Sequence, residues 1–204
     1  MTTPSGQISL DDVNIELDIA PGTQINMNSA PVRGLAEVPS GAISMSDLQG
    51  KSNAQFVAAT GGTITTSGDF KIHEFSSSGT FTVTNAGNAD GSNTVEYLVL
   101  AGGGSSSSQA TSGSTAGGGG GGGQLSNYPS PATGGLPVTA TSFPITVGGG
   151  GSAGLNSGAD SVFSTITSTG GGHGGGTDSN PGSGGSGGGA GRQRSRGSGS
   201  TASR

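Results

Sequence analysis

The amino-acid sequence predicts a mostly β, fibrous chain in which an N-terminal arm with short helices leads into a small antiparallel β region and then a glycine-rich, polyglycine-II-like packed tract. Three observations predict it. Threonine alternates with apolar residues between glycine and serine turns over residues 61–100, the two-residue period of a strand. The chain has 45 glycines among 204 residues and is only 28% hydrophobic and 4% aromatic, so a side-chain core cannot organise all of it. Strand-like islands at 143–147 and 161–167 interrupt the glycine runs, which plain flexible linkers do not carry. The expected parts are an attachment arm over 1–60, a β region over 61–100, a glycine-rich domain over 101–191 and a basic polar tail over 192–204.

In the arm, Ser9 is placed to cap a helix with Leu10, Val13 and Leu17 on one face. Asp11 and Asp12 fall in its first turn, where the helix dipole favours negative charge, and Pro21-Gly22 ends it. Ser29 and Pro31 suit the start of a second helical turn that Pro39 stops, and Ser44 with Asp47 forms a capping-box-like pair closed by Gly50. Isolated helices shorter than about 12 residues are marginal in water. The arm is therefore expected to become ordered on a partner, and Ile8, Leu10, Val13, Leu17, Ile43 and Leu48 are its expected contact residues.

In the β region, strands are expected at 63–66, 70–75, 80–84 and 94–100, the first two joined at Ser67-Gly68. Phe70 and Ile72 share one face, as do Phe81 and Val83, so a meander is expected to bury Ile64, Phe70, Ile72, Phe81 and Val83 together. The fourth strand, apolar on both faces from Val95 to Leu100, suits the centre of the assembly. Beyond Ala101, the tract lacks the Gly-X-Y period of collagen. The runs 117–123, 148–151, 170–176 and 184–189 are expected to be extended, left-handed segments lying side by side. Without Cβ atoms their backbones approach closely and bond to neighbouring carbonyls.

The chemistry of turnover is missing from this pattern. The chain has no cysteine, which excludes disulfides and thiolate metal sites. His73 beside Lys71 reads as a solvent-facing or interface histidine; His173 near Asp178 has no second close ligand within one chain, so no metal is assigned. Gly50-Lys51-Ser52 lacks the first glycine of a phosphate loop, Met45 standing in its place. Glu74, Glu96, Asp160 and Asp178 are available as carboxylates, but with no tryptophan and only Tyr97 and Tyr128 to stack on sugars, glycosidase chemistry is not expected. No serine stands in a Gly-x-Ser-x-Gly context that follows a convincing strand with a histidine and an acid to support it. The reading is a binding protein, not an enzyme, without cofactors. The net charge is −5 and four arginines, Arg192, Arg194, Arg196 and Arg204, lie in the polar tail, so nucleic acid is not an expected partner; no apolar stretch is long enough for membrane insertion as a helix.

The ordered islands carry a family resemblance. Gly61-Gly62-Thr63, Asp69 to Phe75, Ser78 to Val83 and Val95 to Gly104, followed by Ile145 to Gly148 and Ser161 to Ser164, resemble the glycine-rich domain of bacteriophage tail-fibre and tail-tip proteins. Gly6 to Leu10, Val32 to Leu35 and Ser40 to Leu48 with Gly50-Lys51-Ser52 are similar to a leader on phage virion proteins. The pattern departs at its end, where Gly191-Arg192-Gln193-Arg194 stands in place of a closing apolar strand. The resemblance implies a structural virion protein made in the host cytoplasm, assembled as a homotrimer on other tail or baseplate proteins and contributing to host adsorption. Two alternatives are a receptor-binding adhesin reading a host surface receptor through loops such as 127–130, and a non-viral glycine-rich surface or matrix protein.

Overall fold

A computed structural model describes residues 2–107, 115–127, 135–176 and 179–191. The chain is mostly β with few helices and small antiparallel sheets. Its elements are α1 (Leu10–Glu16), α2 (Ala30–Ala36), a 3-10 turn (Met45–Leu48), β1 (Val57–Thr60), β2 (Thr63–Ser67), β3 (Phe70–Glu74), β4 (Gly79–Ala86), β5 (Thr94–Val95), β6 (Leu98–Leu100), β7 (Gln124–Ser126), β8 (Leu136–Pro137), β9 (Ser142–Thr146), β10 (Ser161–Phe163) and β11 (Ile166–Ser168). Two compact units result: Met1–Ala58 with Thr84–Thr94 and Pro137–Thr139, and Ala59–Val83 with Val95–Leu136 and Ala140–Arg204.

The first unit is a side-chain core built from short pieces. Val13, Val32, Leu35, Ala36 and Leu48 are buried together, with Ile8, Leu17, Ile25, Val38, Ile43 and Met45 packed around them. Each helix is too short to persist alone, and each is stopped locally: α1 at Leu17, and α2 at Glu37, whose left-handed backbone (φ 59°) turns the chain. Thr3 ties the start of the chain to its middle, donating its N–H to Lys51 O (2.7 Å) while its hydroxyl accepts from Lys51 N (2.8 Å).

In the second unit, β2 and β3 form a separate hairpin with a two-residue turn at Gly68 (φ 57°), a conformation that favours glycine. The expected meander is not formed, because β4 pairs with β9 and not with β3, in a sheet ordered β1-β4-β9-β10-β11. The register also separates the expected core. Ile64 lies opposite His73, on the other face from Phe70 and Ile72, and all three apolar residues are exposed while Phe81 and Val83 are buried. His73 turns inward instead: its ring stands edge-on to Phe81 (centroids 5.1 Å apart) and its Nδ1 is 2.9 Å from Gly61 O. Phe163 is the hub of the core, in contact with Phe81, Phe143 and Tyr97 at centroid separations of 5.9, 6.1 and 6.4 Å.

The expected 94–100 strand is broken into β5 and β6. β6 pairs only with β7 rather than occupying a sheet centre; Val99 is buried and Leu98 and Leu100 are exposed. The island at 161–167 is likewise two strands, β10 and β11, folded back at Ser164, which holds a left-handed φ of 55°.

The glycine tract grows out of these strands. Runs I (101–107), II (117–123), III (148–151), IV (156–160), V (169–176), VI (179–185) and VII (186–191) are joined by backbone hydrogen bonds. Where β6 and β7 end, the pairing continues with a changed period: Ala101, Gly104 and Ser107 donate to Gly123, Gly120 and Gly117 at 3.0, 2.8 and 3.1 Å. Three-residue spacing is that of a polyproline-II-like helix, which makes no bonds within itself and must bond to its neighbours. Run V is central. Its backbone exchanges bonds with runs I, II, IV, VI and VII, for example Gly120 N–H to Gly172 O and Gly172 N–H to Ser186 O at 2.8 and 2.9 Å.

Close approach, not backbone conformation, demands glycine here. Gly171 has no left-handed φ, yet a Cβ on it would be driven into the carbonyl oxygen of Gly120, whereas a Cβ on Gly149 would meet nothing within 4 Å. Gly171→Ala is therefore expected to abolish hydrogen-exchange protection of run V and its neighbours, and Gly149→Ala to leave it intact; equal protection in the two variants would contradict the array.

Candidate partner-binding surfaces

The six arm residues assigned to a partner are distributed unevenly. Val13 and Leu48 are both 0% exposed and stand at the centre of the unit's own core, and Ile8, Leu17 and Ile43 are half-buried against it. Leu10, at 45% exposure, and Ile15, at 40%, are the large apolar side chains of α1 that remain open. The short elements that were expected to need a partner for order thus find it in one another, and burial of five of the six residues is satisfied inside the unit.

Two capping boxes fix the turns that carry this surface. At α1, Asp12 N–H donates to Ser9 Oγ (3.2 Å) and Ser9 N–H donates back to the Asp12 carboxylate (2.7 Å). Ser44 N–H and hydroxyl donate to Asp47 at 2.8 and 2.7 Å in the same manner. Hydrogen bonds from the serine hydroxyls, and then from their N–H groups, hold both aspartates below their ordinary value of 3.8. The Lys51 ammonium, paired with Glu37, lowers that carboxyl from 4.5.

Several polar residues with no obvious sequence signature organise the same unit. Glu16, buried on α1, accepts the Asn53 N–H at 2.6 Å, and buried Asn14 donates to Thr23 O at 2.9 Å. Arg33 spreads its guanidinium over Asn28 Oδ1, Val38 O and Gly41 O at 2.6, 2.9 and 2.8 Å, closing the loop after α2. An open groove of about 440 Å³ runs between Leu17, Pro31 and Leu35 on one side and the extended segment at 52–55 on the other. Leu17, Pro31 and Leu35 make one wall apolar, while on the other the N–H groups of Asn53, Ala54 and Gln55 are already engaged with Glu16, Ser52 and Asn88.

In the second unit His173 is the one side chain within 170–176; its Nδ1 lies 3.2 Å from Gly174 O. Asp160 accepts the Gly170 N–H at 2.8 Å, doing with a side chain what a neighbouring carbonyl does elsewhere in the array. Among the described residues no three histidines, cysteines or carboxylates gather as a metal site, and no helix is long and apolar enough to cross a membrane. Asn127 is bonded in both directions to Tyr97, accepting its N–H at 2.6 Å and donating to its carbonyl at 3.2 Å. Tyr128 and the rest of the 128–130 loop, Asp178 and the arginines of the tail lie outside the described residues.

The chain belongs to the glycine-rich domain family, which matches residues 75–204. Neither curated proteins nor solved structures yield a match to this chain.

The lowered carboxylates predict the acid behaviour of the first unit. A group whose folded pKa lies below its unfolded value stabilises the fold above the unfolded value and loses that contribution as pH falls through the folded one. Stability should therefore decline below pH 3.8 for the two aspartates and below 4.5 for Glu37. Because Glu37 is exposed and the two aspartates are at most half-buried, the effect is small and weakens with salt. An Asp12→Asn/Asp47→Asn variant should show a flatter acid melting profile than the parent; an unchanged slope would remove the capping account.

Proposed function

We propose that this protein is a structural component of a bacteriophage virion, a tail-fibre or tail-tip protein that assembles as a homotrimer, attaches to other tail or baseplate proteins through its N-terminal unit and contributes to host adsorption. The observation that carries this reading is the glycine array: seven runs held by backbone hydrogen bonds form a stiff body with almost no side-chain chemistry. Such a body holds things at a distance. The ordered islands resembling phage tail proteins add the virion context, and the open α1 surface at Leu10 and Ile15 is the part of the arm left for a partner.

Mass spectrometry of purified particles should detect the chain. Leu10→Asp/Ile15→Asp should fold with the parent's circular dichroism yet fail to enter particles. Leu48→Ala should instead destabilise the unit by about 2–5 kcal/mol through the cavity it leaves. Recovery of the double variant in particles at parental level would rule out this surface, and absence of the parent from particles would rule out the virion assignment.

A further inference from the structure

Most glycines of the array are accounted for within the chain, since a Cβ would collide with a neighbouring carbonyl. Gly118 and Gly187 are not, for a Cβ on either meets nothing within 4 Å, and one on Gly121 meets only the Ser186 hydroxyl at 3.9 Å. None of the three has a left-handed φ, so neither space nor conformation inside the chain calls for glycine there. Glycine at such a position costs entropy on folding without a return. The three lie on adjacent runs bonded to each other, Ser186 N–H to Gly121 O at 3.1 Å and Gly189 N–H to Gly118 O at 2.8 Å, and all three are exposed. Gly149 is bare as well, but alone on its run.

Their hydrogen-bonding groups are open too. Among the described residues the N–H groups of Gly118, Gly121 and Gly187 donate to no acceptor, and on run II these donors recur at the three-residue spacing by which the array bonds internally. This is an unfinished edge, comparable to the free edge of a β-sheet. A separate observation points the same way: β6, the strand continuous with run I and paired with β7, leaves Leu98 and Leu100 on one face at 58% and 56% exposure. In this unit more large apolar side chains are exposed than buried.

We propose that the edge formed by runs II and VII is a self-association surface, on which a second copy of this chain lays its own glycine run, its N–H and C=O groups completing the array and its apolar strand residues covering the leucines. A second copy is the fitting occupant because the edge has no charge or ring, and a single hydroxyl, Ser186, by which to select an unrelated partner. Only another bare backbone reaches donors three residues apart without a Cβ in the way. This deepens the self-assembly in the proposed function but does not depend on the virion context.

The test uses the full chain and the variant Gly118→Glu/Gly121→Glu/Gly187→Glu, whose new side chains enter open space within one chain. Sedimentation analysis at micromolar concentration should give an oligomer for the parent and a monomer for the variant. Hydrogen exchange at the runs away from the edge, such as the run I to run IV bonds, should be the same in both. A second variant, Leu98→Ser/Leu100→Ser, should weaken association at least tenfold with the same retention of protection. A monomeric parent, an oligomeric glycine variant, or loss of the whole array's protection in that variant would each overturn the proposal. Absence of the chain from virions would leave the sedimentation result standing, so the two ideas fail separately.

Discussion

The second unit depends on how closely two backbones can approach. A hydrogen bond in a folded protein contributes about 0.5–1.5 kcal/mol net, while ordering one residue's backbone costs about 1–2 kcal/mol. A single pair of glycine runs therefore gains nothing, and the balance shifts only when each run is shared among several neighbours. Run V reaches five, and that is why all of its glycines are buried and why a methyl group at Gly171 has nowhere to go. The array also needs a starting point, because identical runs could slide past one another in steps of three residues. The aromatic cluster supplies it. Phe163 on β10 and Phe143 on β9 are locked against Phe81 and Tyr97, so runs III and IV leave the sheet in fixed register; β6, β7 and β11 do the same for runs I, II and V.

The first unit solves the opposite problem by ordinary means. Its pieces are short, but capping boxes at Ser9 and Ser44, the fork of Arg33 and the Thr3 tie remove the orphaned backbone groups that would otherwise oppose burial of so small a core. Val13 and Leu48 can then be fully excluded from water although neither sits in an element longer than two turns. The consequence for function is restrictive: residues spent on the internal core are not available to a partner, which leaves Leu10 and Ile15 on the outer side of α1.

What was legible in the sequence follows from how local each signal is. Ser9 as a cap and the Ser44–Asp47 pair are readable because capping signals lie within four residues, and the Ser67-Gly68 turn is readable because its left-handed backbone favours glycine. The inward face of the β2–β3 hairpin was not, because polarity ranks His73 and Lys71 as the wet side, while the ring of His73 is drawn in by Phe81 and the Gly61 carbonyl from elsewhere in the chain. Nor does any pattern announce β7, which follows seven glycines and becomes a strand only because β6 is beside it. Ser164 hides the β10–β11 turn, since serine in a left-handed conformation reads as strand in a run of β-branched residues. The side-by-side glycine runs were foreseeable in kind, from the missing Cβ atoms, but their neighbours were not, since every run reads alike.

That sameness has a structural use. A polyproline-II-like run rises about 3.1 Å per residue, so run V, over 169–176, spans roughly 25 Å. Its length can change only in whole turns, because inserting one glycine rotates every later N–H by about a third of a turn away from its acceptor, while inserting three restores the match. An array of this kind is a ruler graduated in threes, whose reach can be reset without touching the aromatic base that fixes its register. Binding chemistry then belongs to the strands, the turns and the free edge, because wherever two runs meet, the backbone groups that might recognise another molecule are already engaged with each other.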